Sequence, residues 1–277
     1  MAAAVLVPDR ADLLGGLKQG LLLGLAVAAL TLPPAGLSTT ARVATSRVPT
    51  QQAALGGPAV PKLTPRVAAF GAERASDDAH TIADWVATSR DNRAMPFAIL
   101  DKRAAQIYVF DTDARLIGTS RVLLGAAPGD DTVPGIGQRP MDQVRPDEKT
   151  TPAGRFVSRP GRNASGEEVI WVDYGAAVSM HRVRIVDPKE RRLERLASGA
   201  AEDRRISYGC INIPIAFFDA VLRPTLGAAP AVVYVLPERK ALPDAFPAYA
   251  AYAAGMQQQA AGHADVSVGN HSAPPNL

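Results

Sequence analysis

Between residues 98 and 236 the apolar residues fall in short β-branched or aromatic runs separated by Asp, Thr and Gly turns, and this spacing most constrains the fold. The runs cover 98–100, 106–110, 116–124, 169–172, 178–186 and 231–236. Each is too short for a helix and rich in Val, Ile, Tyr and Phe, so each is expected to be a strand. Three helices are expected, one before these runs and two among them. Ser76 is placed to cap one in which Ile82, Trp85 and Val86 share a face, ending at Asp91–Asn92. Asp187, Pro188 and Glu190 suit the start of a second, with Leu193 and Leu196 as its apolar stripe and Gly199 as its stop. The third runs over 215–222 and is expected to end at Arg223–Pro224. The expectation is a mainly β domain with a few helices, about 140–165 residues long, a size that can bury its own core.

The ends read differently. Residues 21–32 are an uncharged run, LLLGLAVAALTL, preceded by Arg10 and Lys18. As a helix it spans about 18 Å, short of the ~30 Å hydrocarbon core, and extension to Leu37 reaches only the lower limit for spanning. Residues 1–37 are therefore expected to be a signal peptide or a membrane anchor, against the alternative of a buried core helix. Asp9 and Asp12 are unusual in such a leader, and Ala26-Val27-Ala28 has small residues at a cleavage-like separation. Residues 38–72 lack an apolar period and read as a flexible linker, 73–237 as the folded domain, and 238–277 as an Ala-rich, loosely structured tail.

Charge and cysteine content remove several classes of function. Thirty Lys and Arg against 27 Asp and Glu give a net charge of +3, too little for nucleic-acid binding driven by phosphate neutralisation. One cysteine excludes an intramolecular disulfide and a thiolate metal cluster. His80, His263 and His271 have no ligand spacing, so no metal or other cofactor is expected.

That one cysteine sits in Ile206-Ser207-Tyr208-Gly209-Cys210-Ile211-Asn212, and His181 lies upstream in a strand-like run. A thiol near its ordinary pKa of about 8.5 is a poor nucleophile at neutral pH, and an adjacent imidazole remedies this by taking the proton. Gly209 permits a sharp turn whose N–H groups converge on one point, as an oxyanion requires. Against this, a lone cysteine is commonly a small buried hydrophobe and a lone histidine a satisfied core residue. The basic cluster Lys189, Arg191, Arg192, Arg195, Arg204 and Arg205 is interleaved with acids and reads as a solvated helix face rather than a substrate-steering patch.

The pattern His181…Ser207-x-Gly209-Cys210-Ile211-Asn212 resembles the signature of the L,D-transpeptidase catalytic domain, the cysteine enzymes that cross-link peptidoglycan. Thr151-Pro152-Ala153-Gly154-Arg155-Phe156 resembles that family's T-P-x-G-x-F segment, and Val122-Leu123-Leu124-Gly125 one of its strands with the glycine after it. Gln106–Phe110 with the Asp111–Asp113 turn resembles its opening hairpin and Val232–Val235 its closing strand, so the resemblance covers about residues 96–237. Three features depart from the family: Tyr208 stands where a histidine is usual, Arg182 where Gly or Ser commonly follows the histidine, and 187–205 lengthen the His-to-Cys interval.

The resemblance implies a β-sandwich in which Cys210 is the nucleophile, His181 the general base and acid, and the Arg182 carbonyl the group orienting His181. The Tyr208, Gly209 and Cys210 amides would form the oxyanion hole, while Ser207 and Asn212 support the loop or touch substrate. It implies acyl transfer on peptidoglycan stem tetrapeptides in the periplasm or cell envelope, by a monomer with a possible membrane tether through residues 21–37. Two alternatives use the same groove: hydrolysis of the same thioester, and non-catalytic peptidoglycan binding.

Overall fold

The computed structural model describes residues 66–269, and side chains as far as residue 260. The expected leader (1–37) and most of the linker lie outside the described residues. In chain order the elements are α1 (Asp77–Ser89), β1 (Phe97–Asp101), β2 (Gln106–Phe110), β3 (Leu116–Arg121), β4 (Leu124–Gly125), β5 (Gly154–Arg162), β6 (Glu168–Asp173), β7 (Val178–Arg182), α2 (Arg192–Ala197), β8 (Arg205–Ser207) and β9 (Ile211–Ile213). A helical run from Ile215 to Leu226, β10 (Ala231–Val235), α3 (Leu242–Ala245) and α4 (Pro247–Gly269) follow.

The fold is mainly β. Eight strands join in the order β3-β2-β1-β10-β5-β6-β7-β9, and β4 pairs separately with β8. β5 converts this sheet into two leaves. Its first half, Gly154–Ser158, pairs with β10, whereas Arg159–Arg162 pair with β6. The second half has left β10, so Pro160 sits where a missing N–H breaks no ladder on that side. Side chains alternate across each strand. Ala98 and Leu100 of β1, Ile107 and Val109 of β2, and Val233 and Val235 of β10 therefore share one core with Ile170, Met180, Ile211 and Ile213 of the other leaf. Phe218, Leu222 and Leu226 of the helical run complete that core. The opposite face of the first leaf, with Phe97, Ile99, Tyr108, Phe110 and Tyr234, forms a second core beneath Ile82, Trp85 and Val86 of α1. Because β1 and β10 are buried on both faces, their sequences are unbroken apolar runs rather than alternating ones.

α1 forms as its signals require: Ser76 Oγ accepts from the Ala79 amide at 3.2 Å, Asp77 and Asp78 lie at the positive end, and Arg90 closes it in the left-handed region. Several expectations need correction. The linker ends sooner than expected, because the Ala68 amide donates to Asp84, Ala69 bridges to Arg115, and Phe70 is buried in the second core. Within the expected loose tail, 242–245 and 247–269 are helical, Phe246 is buried, and the Tyr249 ring meets Trp85 edge-on at 5.9 Å. The helix expected over 187–199 is broken. A 3-10 turn over Pro188–Glu190, capped by Asp187, gives way at Arg191 (φ 50°) to the short α2, which leaves Leu193 exposed. The 215–222 helix does not stop at Arg223–Pro224. A π turn over Phe218–Leu222 widens the helix ahead of Pro224, and helix resumes through Leu226. β5 itself, with Gly154, Pro160 and Gly161, carries no strand pattern in sequence. Among the described residues no helix is long and apolar enough to cross a membrane.

Candidate active site

Parallel pairing of β7 with β9 aligns Met180 with Ile211, His181 with Asn212 and Arg182 with Ile213. Met180, Ile211 and Ile213 point into the core. Alternation then turns Ser179, His181, Cys210 and Asn212 to the outer face of the second leaf. Two strands 29 positions apart in sequence thus present the imidazole and the thiol side by side.

His181 Nδ1 is 2.8 Å from the Arg182 carbonyl oxygen, which fixes the tautomer with the proton on Nδ1 and leaves Nε2 for the thiol. The same peptide unit is held from its other end, because the Val183 N–H donates to Ile213 O at 2.7 Å. The Arg182 side chain is clamped as well: it bonds Asp219 at 2.5 and 3.0 Å and Glu168 at 3.1 Å, and lies over the Phe218 ring. Arg182 is therefore anchored at both main chain and side chain. Cys210 Sγ lies 3.8 Å from Ser179 Oγ and 3.4 Å from the Ala177 carbonyl oxygen. Burial pushes the thiol pKa up, but the hydrogen bond and electrostatic influence of His181, with help from Ser179, bring it below its ordinary value.

The turn carrying Cys210 is braced from several sides. Gly209 has φ 127°, and a Cβ there would meet the Thr150 carbonyl oxygen at 2.6 Å, so no other residue fits. Ser207 Oγ donates to the Cys210 carbonyl at 2.6 Å and accepts from the Gly209 amide at 3.1 Å. The Gly209 N–H is committed to Ser207, leaving Tyr208 and Cys210 as candidate donors. Asn212 is fully buried, with Nδ2 3.3 Å from the Cys210 carbonyl, so Ser207 and Asn212 both donate to that carbonyl. Tyr208 is over one-third exposed, and the Lys149 ammonium lies 3.9 Å from its ring centroid.

Sequence reasoning missed three contributors. Thr151 Oγ1 donates to Gly209 O and accepts from the Gly125 amide, both at 2.9 Å, so Thr151 fastens the turn carrying Cys210 to β4. Ser179 could have been found from its place two residues before His181. The third is a buried cation: Lys102 Nζ reaches Asp130 at 2.7 Å and the carbonyls of Gly129 and Thr151, with Glu238 at 3.6 Å. Asp130 also accepts the amides of Glu238, Arg239 and Lys240. The basic cluster is not a uniformly solvated face either, since the side chains of Arg192, Arg204 and Arg205 are largely buried.

A cavity of about 280 Å³ opens beside the imidazole, lined by His181, Arg162, Arg182, Arg184, Glu167 and Glu168. Both charge signs line it, next to the group that would move protons.

No family model and no curated protein matches the chain. Solved structures do show similarity. The L,D-transpeptidase (residues 123–326) from Xylanimonas cellulosilytica is 13% identical with a TM-score of 0.34, over 51% of this chain and 60% of that one. The L,D-transpeptidase from Mycobacterium smegmatis is 14% identical with a TM-score of 0.33, over 51% and 58%. The helical cell shape determining protein Pgp2 from Campylobacter jejuni is 12% identical with a TM-score of 0.35, over 53% and 49%. In each case this chain covers less than two thirds of the matched structure.

Proposed function

We propose that this chain is a peptidoglycan L,D-transpeptidase working through a cysteine acyl-enzyme. The observation that carries the reading is the pairing of β7 with β9, which sets a histidine with its Nδ1 occupied beside a thiol of lowered pKa. His181 Nε2 takes the thiol proton as Sγ attacks the carbonyl carbon between the third residue and the terminal D-Ala of a donor stem tetrapeptide. The oxyanion forms near the Tyr208 and Cys210 amides. As the intermediate collapses, the C–N bond breaks, His181 returns the proton to the leaving D-Ala nitrogen, and a thioester remains on Cys210. An acceptor amine then attacks the thioester, His181 takes its proton, and the C–S bond breaks as the new amide forms. Water in place of the amine gives hydrolysis through the same steps.

Residues 21–37 would deliver the domain to the cell envelope, as a cleaved signal or as a tether, where it would work as a monomer on stem peptides. The test is incubation of the protein with peptidoglycan tetrapeptide fragments, followed by mass spectrometry of the peptides. D-Ala release with cross-linked dimer, absent in Cys210→Ala, is expected. D-Ala release without dimer makes the chain a hydrolase, and no release from folded protein makes it a binder.

A further inference from the structure

The segment 187–205, which lengthens the His-to-Cys interval, reaches the nucleophile through one side chain. α2 lies over the outer face of the second leaf, where Leu196 packs with Leu123 and Val183. From its first turn, Arg192 sends Nη1 to within 2.7 Å of Asn212 Oδ1, while its Nε bonds Glu190 at 2.6 Å. Asn212 Nδ2 in turn points at the Cys210 carbonyl, which also receives Ser207 Oγ. A buried asparagine amide is nearly symmetric in shape but opposite in polarity at its two ends. Which end faces Cys210 is decided by what sits at the other end. A guanidinium has only donors, so Arg192 forces Oδ1 toward itself and Nδ2 toward the Cys210 carbonyl. The reversed amide would place two oxygens against each other and push the turn away from His181.

We propose that Arg192, oriented by Glu190, is a positioning residue: it fixes the sense of the Asn212 amide and so the placement of the Cys210 turn relative to His181. The inference rests on Cys210 being an activated thiol, as proposed above. It makes the inserted segment part of the catalytic apparatus, and it places a requirement on residue 192, a donor with no acceptor, rather than merely on charge.

The experiment is the rate of Cys210 alkylation by iodoacetamide from about pH 5 to 9, which follows the thiolate fraction, with melting temperature recorded for each protein. The thiol faces His181 and Ser179 from β7, and Arg192 faces Glu190, so these are the groups whose charge or hydrogen bonding the profile reads. Arg192→Met is expected to move the profile to higher pH and to lower the neutral-pH rate about 10-fold, within the loss of up to about 100-fold that misplacement of a reacting group produces. Arg192→Lys, also donor-only, is expected to recover much of the loss. In Asn212→Ala, adding Arg192→Met is expected to change nothing further, because the amide to be oriented is gone. A folded Arg192→Met whose profile superposes on that of the unaltered protein overturns the inference, whatever its melting temperature. If Arg192→Met does not fold, Glu190→Gln decides, with a profile shift in the same direction expected and an unmoved profile contradicting it. An unaltered protein whose thiol reacts no faster than in the unfolded chain refutes the activated thiol instead, a different outcome from either.

Discussion

Thr151→Val is the substitution that most sharply tests how the turn carrying Cys210 is held. The residue is 1% exposed, and its hydroxyl makes two hydrogen bonds of 2.9 Å, one given to Gly209 O and one accepted from the Gly125 amide. Valine has nearly the same shape and neither function. Both backbone groups then lose a partner in a buried site, since Gly125 and Gly209 are themselves buried. An unsatisfied buried polar group costs about 1–3 kcal/mol. Two such groups, offset in part by the added methyl, give a destabilisation of about 2–4 kcal/mol. At about 2–4 °C per kcal/mol for a domain of this size, the melting temperature should fall by about 4–16 °C. Thr151→Ser keeps the hydroxyl and should lose only the methyl contribution, about 1 kcal/mol. Differential scanning calorimetry of the three proteins, with Cys210 alkylation measured well below the transition, is the assay. Thr151→Val should be both less stable and slower to react, and Thr151→Ser near normal in reactivity. A Thr151→Val protein that melts within 2 °C of the unaltered chain would refute the bracing argument.

His181→Ala should slow Cys210 alkylation at neutral pH by about 10²–10⁴-fold; with the lowering influence of His181 removed, the thiol pKa rises and the pH–rate profile moves to higher pH, and an unmoved profile would separate the two residues. Tyr208→Phe keeps both the backbone N–H and the ring beneath Lys149, so turnover should be nearly unchanged, whereas Tyr208→Pro removes the N–H and should lose about 10²–10³-fold in a protein shown by circular dichroism to be folded. Asp130 has its pKa lowered in the fold: burial raises it, but Lys102 and three backbone amides outweigh burial. Its contribution to stability is therefore complete above the unfolded pKa near 3.9 and is lost as pH falls from there through the lower folded value. Melting temperature measured between about pH 6 and 2.5 should drop more steeply for the unaltered protein than for Asp130→Asn, which starts lower; parallel curves would contradict the assignment.

The β character of the domain was legible because its central strands are short and β-branched, a pattern no helix of ordinary length would show. β5 was not legible. Its strand state is imposed by β10 on one half and β6 on the other, and a run containing Gly154, Pro160 and Gly161 has no such preference of its own. The ordered helix over 247–269 was hidden for the opposite reason: its Ala-rich sequence carries no amphipathic period, and the burial of Phe246 with the contact of Tyr249 on Trp85 is a tertiary matter. At the site, the residue types and the glycine before Cys210 pointed to a thiol–imidazole pair, and the loop-supporting role of Ser207 and Asn212 was among the expectations. What could not be read was commitment. That Arg192 is buried against Asn212, and that Lys102 sits between Asp130 and the Thr151 carbonyl, depend on segments far apart in the chain, and that Ser207 takes the Gly209 amide depends on the conformation of the turn.

The central claim is that Cys210 forms an acyl-enzyme with the help of His181. Intact-protein mass spectrometry after exposure to a carbapenem tests it most directly, since a strained β-lactam carbonyl presents an activated thiol with an acylating group. A single stoichiometric adduct is expected, formed slowly in His181→Ala and absent in Cys210→Ala. Folded, unaltered protein that stays at its own mass, or an adduct that persists in Cys210→Ala, would contradict the claim.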